Sequence, residues 1–252
     1  MLRTEHDTGG YSYLPGLPFA SNGVTATPGM TIEHAVLPQP QPLPNGLDHI
    51  RRHLDRMGRP LHALCGLELR LPAALPMPAF RDFNEQYLAL LDKWGLLRAG
   101  TSPLTRTNVV PSVNPPAAPT LLAFSYTTAR KTSGPPCLVI TGVAELTTGA
   151  RFPDDVVRHG EVGIDALLEK AAYIIGEVNA RITALGACWE RADRVQLYCA
   201  HRAVFEIGRQ VLGRIGAQPA HGLTWHDSTP PVLGLELEID VRRHTHELIM
   251  ED

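Results

Sequence analysis

Leu67-Glu68-Leu69-Arg70-Leu71 and Val195-Gln196-Leu197-Tyr198-Cys199 read as one strand written twice. In each, apolar side chains alternate with polar or amphipathic ones, which is the period of a half-buried strand. The offset from residue 67 to residue 195 is 128, and it also carries Gly58 onto Gly186. Ahead of Gly58, Leu47, Ile50, Leu54 and Met57 recur at helical spacing, with Asn45 as an N-cap. Ahead of Gly186, a longer stripe runs through Ile164, Leu167, Ala171, Ile174, Val178, Ile182 and Leu185. A helix, a glycine stop and a strand therefore recur in register.

The repeat extends in both directions. Phe80, Phe83, Tyr87, Leu90 and Trp94 form a second amphipathic stripe, answered by Val204, Ile207, Val211 and Ile215. The core helices are predicted at about 161–185 and 79–94. Leu104-Thr105-Arg106-Thr107-Asn108-Val109-Val110-Pro111 matches Leu223-Thr224-Trp225-His226-Asp227-Ser228-Thr229-Pro230 at Leu, Thr and Pro. Leu122–Tyr126 and Leu235–Val241 read as closing strands, and Pro18–Val24 and Cys137–Val143 as opening ones. This order predicts an α+β fold of two tandem units, each a mixed sheet with two helices on one face. The proline-rich stretches Leu37–Pro44, Ser112–Pro119 and Ala129–Pro136 read as loops. The last is the expected linker, giving units 1–130 and 131–252.

Composition narrows the function classes. The 252 residues are 44% hydrophobic and 19% charged, with a formal net charge of −3. Neither a nucleic-acid footprint nor a polybasic membrane patch is present. No run is long and apolar enough for a transmembrane helix, and the N-terminus lacks a signal pattern, so a cytoplasmic address is expected. Cys65, Cys137, Cys188 and Cys199 show no CxxC spacing, which argues against structural zinc and a disulfide framework. Cys199, on an alternating apolar face, reads as a core residue.

The order of elements resembles the RidA (YjgF) family. Phe19-Ala20-Ser21-Asn22-Gly23 and Val139-Ile140-Thr141-Gly142 look like its strand ending in Ser-Gly. Leu185-Gly186 before Val195-Gln196-Leu197-Tyr198 looks like its helix-to-strand passage. Thr105-Arg106-Thr107 looks like its arginine motif, and Leu235-Glu236-Leu237-Glu238-Ile239 like its closing strand. Val157–Glu161, Gly222–His226 and Pro230–Glu236 resemble more narrowly the family's double-length branch, the deaminases of 2-aminomuconate and 2-amino-5-chloromuconate. The resemblance implies hydrolytic loss of ammonia from an enamine or imine dicarboxylate made in the breakdown of aminophenol- or nitroaromatic-type compounds. It also implies a homotrimer.

Such hydrolysis requires a carboxylate clamp, a placed water and a proton relay, with no cofactor and no metal. Arg106 suits the clamp, because a guanidinium binds a carboxylate at two points. The resemblance assigns water positioning to Glu236, while Glu238 and Asp240 share its strand face, where at least two of the three acids are expected to be solvated. Neither half holds both parts of the family's pair: the first has Arg106 and no closing acid, the second has the acid but Trp225 where the arginine would be. Either the halves combine, or one is degenerate. In the second case His226 could relay protons and Trp225 could wall a flat conjugated substrate. Arg158 and His159 suggest an anion site at a helix start. Tyr11, with Tyr13, stands before the first strand, where the family keeps a site tyrosine. Ser21, Asn22 and Gly23 could offer backbone donors, and His244 and His246 read as tail residues. The incomplete pair leaves a second reading open, a ligand-binding regulatory protein without turnover. The charge balance argues against a third, ribonuclease action.

Overall fold

The alternation and helical stripes fold into two mixed sheets and four helices in the computed structural model, which describes residues 2–131, 133–147, 151–215 and 222–250. Three short strands lead, β1 (Thr4–His6), β2 (Tyr11–Leu14) and β3 (Gly23–Ala26). The first unit continues with β4 (Met30–Pro42), α1 (Leu43–Arg56), β5 (Leu64–Arg70), α2 (Met77–Lys93), β6 (Thr105–Pro111) and β7 (Thr120–Ala129). The second holds β8 (Leu138–Ala144), α3 (Ile164–Ala184), β9 (Arg194–Cys199), α4 (Val204–Ile215), β10 (Thr224–His226), β11 (Ser228–Thr229) and β12 (Leu237–Arg243). A last strand, β13 (His246–Ile249), follows.

The repeat accounts for the shared parts. Gly58 and Gly186 both take the left-handed conformation, φ 64° and 74°, that ends a helix and that a side chain resists. Leu67 and Leu69 enter a core with Leu47, Ile50, Leu54 and Phe124. Val195, Leu197 and Cys199 enter another with Leu167, Ile174, Val178 and Ile239. The α1 start differs from the expected one. Asn45 lies inside the first turn rather than at the cap, because Pro44 fits a helix start, where the missing N–H is not needed.

The Leu37–Pro44 stretch is not a loop. β4 runs through it to Pro42, and the register with β7 shifts between Val36 and Gln41. Pro38 and Pro40 fall in that break, where no ladder donor is required. The opening strand expected at Pro18–Val24 begins only at Gly23. The expected tail residue His246 starts β13.

Sheet membership interleaves the halves. The seven-stranded sheet has the order β1-β2-β3-β8-β12-β9-β10, and the six-stranded sheet β11-β6-β5-β7-β4-β13. β3 thus pairs antiparallel with β8, and β13 pairs parallel with β4. The second copy's counterpart of β6 splits at Asp227. β10 stays beside β9, while β11 crosses to pair with β6 in the other sheet. The stretch 129–136, expected as a linker, joins β7 to β8; Thr132 within it lies outside the described residues.

The faces turned away from the helices meet one another. Thr107 Oγ1 donates to Asp240 Oδ2 at 2.7 Å, Tyr198 OH donates to the same oxygen at 3.1 Å, and Arg242 pairs with it at 2.6 Å. Arg242 also pairs with Glu68, and His34 Nε2 lies 3.2 Å from the Glu68 carboxylate. Burial alone would raise Glu68, but Arg242, His34 and Arg70 outweigh it and hold the carboxyl well below its usual range. Two sheet faces that would otherwise need cover from other chains are, along this network, covered by each other.

Candidate active site

The arginine motif becomes a cleft because one edge of β6 is left partly open. β11 covers that edge only at Val110 and Pro111. Further back, the Arg106 N–H donates to Thr141 Oγ1 at 3.2 Å and the Asn108 N–H to Glu238 Oε1 at 3.4 Å. Side chains of the second half thus finish the strand of the first. Above them opens a cleft of about 430 Å³, lined by Arg106 and Asn108 of β6, Phe80 and Asn84 of α2, Ser21, Thr141 and Glu238.

Arg106 is 5% exposed. Its guanidinium carbon lies 4.5 Å from the Phe19 ring centre, 4.8 Å from Tyr87, 5.7 Å from Phe83 and 5.8 Å from Phe80. The α2 stripe read as core is therefore also a cation-π cage. Burial lowers the Arg106 pKa, while Tyr87 and Glu238 act in the opposite direction. Nη1 has no hydrogen-bond partner among the described residues. A caged guanidinium with a free N–H is prepared for a planar anion.

Glu238 is the acid of the cleft. It is 5% exposed, and a Cβ on Gly142 would overlap its carboxyl, so the glycine makes its place. Burial first, and the Asp240 charge second, push its pKa up to about 8. It therefore carries a proton at neutral pH, as a general acid must. Around it, Ser21 Oγ, Asn84 Oδ1, both amide atoms of Asn108 and Arg181 Nε are buried without partners among the described residues. Buried polar groups are normally satisfied, so their gathering on one cleft marks a place for a polar ligand. A second cleft of about 650 Å³, beside Arg3 and Arg130, gathers none among its described residues.

The other sequence candidates lie elsewhere. Glu236 is outside the cleft. Its Oε2 is 2.7 Å from His201 Nε2, and its backbone N–H donates to Glu145 at 2.6 Å. The expectation that at least two of Glu236, Glu238 and Asp240 are solvated is overturned, because the second sheet buries Glu238 and Asp240. His226 stacks on Tyr198 at 4.7 Å and lies 2.5 Å from the Gln196 amide, in the inter-sheet network. Burial, then Arg70, lowers its pKa. Trp225 is 46% exposed on β10, and its indole N–H donates to Cys199 O at 2.7 Å. Arg158 is occupied by three acids of its own loop and helix, Glu161, Asp165 and Glu169, so it is no open anion site. His159 lies edge-on to Phe152, whose ring lines the cleft, but does not itself line it. Tyr11 is fully buried with Tyr13, Val24 and Cys65, stacked on His6.

Sequence reasoning missed Glu238, Asn84, Asn108 and Arg181. Two signals were legible: Asn84 interrupts the Phe80–Tyr87 stripe at a core position, and Asn108 shares the strand face of Arg106. Nothing local distinguished Glu238 from Glu236.

Residues 3–248 match the family model described as 2-aminomuconate deaminase CnbZ. The chain is 34% identical over 244 residues to a 2-amino-5-chloromuconate deaminase of Comamonas testosteroni, covering 96% of each chain. Among solved structures it is similar to a chorismatase, with TM-score 0.48 and 13% identity over 88% of this chain and 77% of that one. It is also similar to RidA from an Antarctic Psychrobacter, with TM-score 0.33 and 14% identity over 47% of this chain and 87% of that one.

Proposed function

Because the chain belongs to the 2-aminomuconate deaminase CnbZ family, we propose that it hydrolyses an enamine or imine dicarboxylate such as 2-aminomuconate, releasing ammonia, in the degradation of aminophenol- or nitroaromatic-type compounds. The observation that carries this reading is the meeting, in one cleft, of a caged Arg106 and the buried carboxyl of Glu238 from opposite halves of the chain. The first half brings the arginine and the second brings an acid, Glu238 in place of the expected Glu236, which supports a site shared between the halves. That removes the reason for preferring a regulatory protein without turnover.

Arg106 binds the carboxylate next to the amino-bearing carbon at two points. Glu238 gives its proton to the enamine carbon, which leaves a carboxylate and an iminium. The carboxylate then takes a proton from water as the oxygen adds to the iminium carbon, and Glu238 is protonated again. Glu238 then protonates the carbinolamine nitrogen and takes back the hydroxyl proton as the C–N bond breaks, which gives the keto acid and ammonia. Asn84, Asn108 and Ser21 hold the water and the departing nitrogen. The test is ammonia yield from purified protein across a panel of enamine acids. Release from 2-aminomuconate that disappears in Glu238→Gln supports the reading. Tight binding of that compound without ammonia release restores the regulatory one.

A further inference from the structure

We propose that Arg181 is a second anion-binding group of the cleft, the residue that recognises the far carboxylate of a dicarboxylate. This rests on the deaminase reading for the reaction and adds to it the selection of substrate.

Arg181 sits in the last turn of α3, on the face that carries Ile174, Val178 and Ile182 into the core. It is 8% exposed, and its Nε has no partner among the described residues. Burial lowers its pKa, and Glu177, one turn earlier, is the strongest influence in the opposite direction. A buried guanidinium left like this is costly to the fold, and a Leu or Met would suit the stripe better if packing were the whole purpose. Yet Arg181 lines the cleft that holds Arg106.

The charge count points the same way. The cleft's charged lining is Arg106 and Arg181, both buried, Arg81 at its exposed rim, and Glu238. Glu238 is the one acid among the described lining residues, and burial and Asp240 favour its neutral form, so the two buried cations are left without a matching anion there. One carboxylate answers one of them; a dianion answers both. The two arginines enter from different halves, Arg106 from β6 and Arg181 from α3. A ligand charged at both ends therefore bridges the two halves, whereas a monocarboxylate leaves one buried cation unpaired.

Unreactive ligands separate this from the reaction. Muconate and sorbate share a six-carbon diene chain and differ in one terminal carboxylate. Calorimetric titration of the full-length protein is expected to show muconate binding at least 30-fold tighter than sorbate. Arg181→Met should weaken muconate about 30-fold and change sorbate less than 3-fold, with no loss of melting temperature. Arg181→Lys should retain part of the preference and serves if the methionine variant fails to fold. Equal binding of the two ligands by the wild type, or an unchanged preference in a folded Arg181 variant, overturns the proposal. An intact preference that Arg181→Met abolishes, in a protein that releases no ammonia, overturns the deaminase reading and leaves this one standing.

Discussion

Replacing Glu238 by Gln should make the protein more stable as it makes it inactive. In the unfolded chain this carboxyl titrates near 4.5; in the cleft, burial and Asp240 push it up to about 8. Between those values the folded state binds more protons than the unfolded state, so stability falls as pH rises. The penalty is absent below pH 4.5, grows through neutrality and levels off above pH 8. At pH 7 the gap is about 2.5 pH units, and at 1.36 kcal/mol per unit the wild type forgoes about 3 kcal/mol. Glutamine carries no such term and can still accept the Asn108 N–H. For a chain of this length that corresponds to a melting temperature about 6–12 °C higher at pH 7, and close to the wild type at pH 4.5. Thermal melts of both proteins at pH 4.5, 7 and 9 measure it. A variant no more stable at pH 7 than at pH 4.5, relative to wild type, would refute the protonated, desolvated carboxyl from which the mechanism starts.

Other expectations follow from the same geometry. Arg106→Ala should lower kcat/KM by an amount equivalent to about 2–4 kcal/mol, while Arg106→Lys restores only part of it, since an ammonium cannot make the planar two-point contact; circular dichroism should show both folded. Glu236→Gln should leave kcat within a few-fold of wild type, because its carboxylate engages His201 outside the cleft. Lys170→Met strands the fully buried Glu145 carboxylate, with which Lys170 pairs at 3.2 Å, and should cost about 3–5 kcal/mol in urea unfolding. Light scattering at micromolar concentration should give three chains per particle, the assembly that the RidA resemblance implies, and a monomer would contradict it.

The fold was legible wherever a copy existed to compare. Gly58 against Gly186 and Leu67–Leu71 against Val195–Cys199 located helix ends and strands through packing rules that act locally. The site was legible at Arg106, whose flanking threonines and apolar followers mark a buried strand. It was not legible at Glu238. Alternation along β12 places Glu238 and Asp240 on the face opposite Leu237, Ile239 and Val241, but their burial depends on where β6 lies across the gap. That is a property of two sheets meeting, and no stretch of either carries it. For the same reason Trp225 and His226, which align with the arginine motif, were placed in the site by the repeat and outside it by the split at Asp227.

The exchange of strands at the two ends of the chain bears on how such a molecule could have arisen and how it assembles. Thr25 reaches across 112 residues to bond Cys137 O, and His246 across 213 to sit beside Glu33. A duplicated gene first yields two self-sufficient copies; once their edge strands have traded places, neither copy owns a complete sheet. The chain then closes its longest loops before either sheet is whole, a topology that folds slowly and ties the fate of each half to the other. Genetic separation of the copies is thereby foreclosed, and each is free to lose a residue that its sibling can bring to the shared cleft.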